Sequence, residues 1–162
     1  MAILCMSLLN TGATNFTVRS DDFISYYNNY LFSYNGEYEE IFEYGKGIEI
    51  FVPILNLIFS VIIDEPYPYV LKLLHSICLF SLVLTLVIQI GNYHKIGFNS
   101  TSLLFLCVIV LIQPLLMIQF LRQAYGALFV LIAIFTMDKR LRRLLLILAV
   151  MSHITSIIMY PY

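Results

Sequence analysis

Between Thr101 and Met137 the chain carries one formal charge, Arg122, followed by Gln123. At membrane depth an arginine costs roughly 2.5 kcal/mol or more, so such residues usually face a protein interior or a wet cavity. There a guanidinium supplies a permanent charge and a fork that fits phosphate oxygens. Gln123 adds a neutral donor and acceptor. The competing reading is an arginine at a helix end that snorkels to the interface. Asp21 and Asp22, with Tyr26 four residues on, put two carboxylates at the head of a helix. Sharing a site could raise one pKa enough to make a base, but helix capping and dipole matching explain the same residues. Glu49, after Gly47 and Ile48, precedes an apolar helix and reads either as an interfacial acid or as a site residue. His153, with Thr155 and Ser156, lies in an otherwise apolar stretch. It reads either as a packed histidine or as part of a site.

The elements that must position these residues belong to a membrane. Of 162 residues, 60% are hydrophobic and 12% charged, against about 25% charged in a soluble domain. A net charge of -1 points to neither nucleic acid nor an anionic lipid surface as partner. Cys5, Cys78 and Cys107 lie in apolar stretches and read as small buried hydrophobes. The acids are too dispersed to predict a metal site, and no P-loop, dinucleotide-binding turn or His-Glu-x-x-His occurs. The charge is polarised. Seven of the ten acids lie between Asp21 and Glu49, with six of the twelve tyrosines, whereas Lys139, Arg140, Arg142 and Arg143 cluster far along the chain.

The expected fold class is all-α, a polytopic transmembrane helical protein in one domain, 1–162. Residues 1–9 are too short to span and read as the remnant of a membrane helix. Residues 10–47 form a large outer loop. Within it Phe23, Tyr26, Tyr27, Tyr30, Leu31 and Tyr34 recur at helical spacing, with Ser25, Asn28, Asn29 and Ser33 between them. That pattern predicts an amphipathic interfacial helix capped by Ser20, Asp21 and Asp22. Residues 48–162 supply the membrane helices, expected over 50–63, 69–90, 101–121, 123–137 and 144–162. The basic turn 138–143 is placed in the cytoplasm, which puts Arg122 near the outer face and His153 in the outer half of the bilayer. A complete crossing by 101–121 puts the acidic loop inside. A re-entrant element broken at Gln113-Pro114 puts it outside.

In order, the chain reads Arg19-Ser20-Asp21-Asp22, Tyr26, Gly47-Ile48-Glu49, Leu121-Arg122-Gln123-Ala124, a basic turn, and His153-Ile154-Thr155-Ser156. From about Arg19 to its end it resembles the EpsG-like family of bacterial polysaccharide polymerases, the Wzy-type enzymes of O-antigen, capsule and exopolysaccharide synthesis. That resemblance implies a multi-pass glycosyltransferase of the inner membrane. It joins lipid-linked oligosaccharide repeat units at the periplasmic face, with undecaprenyl diphosphate-linked oligosaccharide as substrate and no cofactor. It also implies an outer acidic loop, and hence the re-entrant form of 101–121. Membrane lipid, chain-length regulator and flippase proteins are the implied partners. Carried over, Arg122 with Gln123 would bind the lipid diphosphate. Asp22 or Asp21 would contact the acceptor sugar, as general base, with Tyr26 also touching sugar. Glu49 and His153 would line the same cavity. The family has Ser where this chain has Thr155, a change that keeps the hydroxyl. Its members are longer, which implies a truncated member here, inactive alone. Two rival readings are a transferase of single sugars from a polyprenyl phosphate and a small non-enzymatic membrane protein or gene remnant.

Overall fold

Apolar runs of this length satisfy their peptide groups most simply within a helix. The computed structural model describes residues 22–43, 48–63, 65–97, 99–102, 104–105, 107 and 120–159, and no strand occurs among them.

The first helix, α1 (Asp22–Asn35), buries Phe23, Tyr26 and Tyr30 as the periodicity requires. The buried face is nonetheless rotated from the expected stripe. Asn29 and Ser33, expected on the polar side, are buried, while Tyr34 is exposed. The cause is what α1 lies against. A short helix, α2 (Tyr38–Glu43), sits inside the segment expected to be loop, and Asn29 Nδ2 donates to its Ile41 carbonyl at 3.0 Å. Gly36 ends α1 at φ +80, a left-handed conformation that favours glycine. The Gly36 and Glu37 N–H groups donate back to the Ser33 and Phe32 carbonyls, the double bond of a Schellman ending.

The apolar helices follow. The third helix, α3 (Phe51–Ile62), packs Val52, Pro53, Asn56 and Phe59 inward. The fourth, α4 (Pro68–Tyr93), starts with proline in its first turn, where the missing N–H does no harm. It is the one helix among the described residues long and apolar enough to cross a membrane. The apolar α3 and α5 are shorter. The helices α5 (Leu121–Phe135) and α6 (Lys139–Ser152) form a tight antiparallel pair. The basic residues are in the first turn of α6 rather than in a loop. Asp138 caps them, accepting from the Arg140 and Leu141 N–H groups, which offsets four cations at the positive end of a helix dipole. A 3-10 segment, Ile154–Met159, follows α6. Cys78 is half-buried, and Cys107 is exposed against the expectation of burial.

Ring contacts give the directions. His75 on α4 meets Tyr125 on α5, and farther along Tyr93 meets Phe135. The two helices therefore run the same way. Glu49, just before α3, lies at the Arg122 end of α5. Pro66, just after α3, accepts from the Tyr27 hydroxyl of α1 at 2.5 Å. Both ends of α3 thus lie at one end of the bundle. The element that does not traverse is α3, a helix of about 18 Å. Thr101 packs against Gly91 near the far end of α4, whereas Leu121 stands at the near end of α5. The expected break at Gln113-Pro114 and the segment 1–9 lie outside the described residues.

Candidate functional site

Three of the residues singled out in the sequence converge. Arg122 Nη1 donates to Glu49 Oε2 at 2.5 Å, and His153 Nδ1 lies 2.7 Å from Glu49 Oε1. The Ile154 N–H donates to that same Oε1 at 3.1 Å. Each side chain is half-buried, with 32%, 12% and 22% of the Arg122, Glu49 and His153 side chains exposed. The carboxylate is the deepest, and the arginine and histidine edges open outward.

Each element contributes by a local device. Glu49 stands in the turn before α3, with Ile50 N–H bonded to the Ile48 carbonyl. Arg122 is in the first turn of α5, at the end of that helix that Glu49 faces. His153 was expected inside a helix running on to 162, but α6 stops at Ser152. His153 takes an extended conformation (φ -159, ψ 117). The break has a physical reason. Continuing the helix would turn the Ile154 N–H back to the helix ladder. Stopping it releases that N–H and the imidazole together toward one carboxylate oxygen.

Gly126 makes room for this. It is four residues after Arg122 on the same face of α5, and a Cβ there would collide with Ser156 Oγ and lie 3.3 Å from His153 Cβ. Sequence reasoning missed it, although a glycine one turn after the lone arginine in an apolar helix marks a close approach.

The electrostatics follow from this geometry. Burial pushes the Glu49 carboxyl up. The Ile154 N–H, the Arg122 charge and His153 together outweigh that and hold it below the usual carboxylate range. Glu49 is therefore ionised at neutral pH and acts as an acceptor, so Nδ1 of His153 is the donor. In the neutral ring Nε2 then holds the lone pair. Such a histidine can take a proton while the carboxylate steadies the imidazolium formed. Arginine has five N–H donors, enough to hold a carboxylate and a second anion.

Of the other expected site residues, Tyr26 and Gln123 are not gathered here. Asp22 opens α1, but its side chain and all of Asp21 lie outside the described residues. Tyr26 is buried among α1, α3 and their neighbours, and its peptide oxygen accepts from Asn56 Nδ2 at 3.2 Å. Gln123 is next to Arg122 but exposed.

A sequence model of the EpsG family matches residues 1–162, the whole chain. No curated protein and no solved structure matches significantly.

Proposed function

The chain belongs to the EpsG family, and from that premise we propose that it polymerises lipid-linked oligosaccharide repeat units at the outer face of the bacterial inner membrane. The observation that carries this reading is the meeting of Arg122, Glu49 and His153. They lie at the opposite end of the α5–α6 pair from the basic first turn of α6. With that turn in the cytoplasm, the three residues face outward, and α1 and α2 cover the same end.

In this reading Arg122 binds the diphosphate of the donor lipid. An acceptor hydroxyl gives its proton to His153 Nε2 as its oxygen bonds to the anomeric carbon of the donor sugar. The bond from that carbon to the diphosphate oxygen breaks, and the lipid diphosphate leaves with the electron pair. Arg122 stabilises the charge that develops there. Glu49 holds both partners in register and balances the imidazolium. Asp22, at the head of α1, contacts the acceptor sugar. The multi-pass placement rests on α4, with α5 running beside it in the same direction and α6 running back.

The test is a glycan ladder from the native strain. Arg122→Ala is expected to collapse long chains to single repeat units while protein level is kept. An unchanged ladder overturns the role of Arg122, and products extended by one sugar overturn polymerisation.

A further inference from the structure

One chain of hydrogen bonds crosses five elements and plays no part in the transfer step. Asn29 on α1 donates to the Ile41 carbonyl of α2, at 3.0 Å. Asn56 on α3 donates through Nδ2 to Asn29 Oδ1, at 2.9 Å, and to the Tyr26 carbonyl, at 3.2 Å. His75 on α4 places Nε2 3.0 Å from Asn56 Oδ1 and Nδ1 3.1 Å from the Tyr125 hydroxyl on α5. Asn29, Asn56 and His75 are 0% exposed and Tyr125 is 1% exposed.

The direction of every bond is fixed. A peptide oxygen only accepts, so the Asn56 atom at the Tyr26 carbonyl is nitrogen and the atom facing His75 is oxygen. That oxygen also only accepts. Nε2 of His75 must carry the proton, and in the neutral ring Nδ1 accepts from the Tyr125 hydroxyl. A buried polar network is expensive when half-made and specifies one arrangement when fully made. An apolar contact would tolerate sliding and repacking.

Two members of this chain lie on the elements that carry the proposed site. Asn56 is on the helix that Glu49 precedes, and Tyr125 is one turn after Arg122 on α5. Phe51, two residues after Glu49, packs edge-on against Tyr125 at 5.1 Å. We propose that His75 is a positioning residue of the transfer site. Its ring ties α3 to α5 so that Glu49 meets Arg122 and His153. This assignment rests on the transfer role proposed above for those three residues.

Two variants separate positioning from mere packing. Tyr125→Phe removes one hydroxyl and keeps the ring. His75→Gln keeps a donor toward Asn56 and offers Tyr125 an amide oxygen as a displaced acceptor. The full chain, labelled with 15N-histidine in lipid nanodiscs, reports the Nδ1 resonance of His153, and polymer formation is followed in parallel. The groups facing Glu49 are Arg122, His153 and the Ile154 N–H. Loosening them weakens the bond from His153 Nδ1 to Glu49, which the Nδ1 resonance reads directly.

Tyr125→Phe is expected to shift the His153 resonance and slow polymer formation about tenfold to a hundredfold, the scale of a misplacement near 1 Å. His75→Gln is expected to fall between Tyr125→Phe and the unaltered protein. A His153 resonance that stays in place in Tyr125→Phe overturns the proposal, even where the rate falls with the amount of folded protein. If His75→Gln does not fold, Tyr125→Phe alone decides. If Arg122→Ala leaves polymer formation intact, the transfer reading fails, and the His153 resonance still decides whether His75 positions Glu49.

Discussion

Glu49 and Arg122, 73 positions apart in sequence, meet with 2.5 Å between carboxylate and guanidinium. The pair joins the start of α3 to the start of α5, and Glu49 extends it to His153 after α6. An exposed ion pair alone contributes little to stability. This one matters for where it holds the two charges.

Glu49→Gln keeps the size of the side chain but removes its charge. Arg122 and His153 both lose their anionic partner. Polymer formation is expected to fall by at least a hundredfold, with thermal stability lowered by about 1–3 kcal/mol, the usual effect of leaving a bonding group unmatched. Melting of the detergent-solubilised protein and the glycan ladder together check this.

Stability should also depend on pH through the same carboxylate. Its pKa is lower in the folded chain than in the unfolded one. The stabilisation is therefore complete above the unfolded value, near pH 4, and is lost as pH falls through the lower folded value. The melting temperatures of the unaltered protein and of Glu49→Gln should differ at pH 7 and converge below about pH 4. A constant gap across that range would contradict the assignment of the lowered pKa to these contacts.

Gly126→Ala adds one methyl group where Ser156 and His153 press on α5. Alanine favours helix, so the secondary structure should survive. Overpacking should lower stability by about 1–3 kcal/mol and move His153 off Glu49. Circular dichroism is expected to be unchanged while polymer formation drops more than tenfold.

Asp138→Ala tests a contact away from the site. Losing the two N-cap bonds to Arg140 and Leu141 should lower stability by about 1 kcal/mol. Activity per folded molecule should remain, because the cap lies at the end of the α5–α6 pair opposite Glu49.

Much of this arrangement was legible in the residues, and the rest was not for definite reasons. The order of Glu49, Arg122 and His153 carried the resemblance, and the three do converge. The apolar run 69–90 announced a long helix, which extends over Pro68–Tyr93. Periodicity located α1 but could not orient it fully, because the burial of Asn29 and Ser33 depends on Asn56 and Ile41, partners far along the chain. The apolar run of α3 reads alike whether it crosses or folds back, and only the contacts at its two ends decide. The break at His153 leaves no local signal, since its cause is the Glu49 carboxylate 104 residues away. His75, Asn56 and Tyr125 are each a single polar group in an apolar stretch, and their meaning lies in being joined.

The most direct test of the central claim is single-turnover transfer by the full chain in nanodiscs. Lipid-linked repeat units are supplied, and the product is read by mass spectrometry for the unaltered protein, Arg122→Ala, Glu49→Gln and His153→Ala. The account predicts dimeric and longer lipid-linked oligosaccharide from the unaltered protein, and donor left unreacted by all three variants. Elongated product at an unchanged rate from any of the three would contradict it.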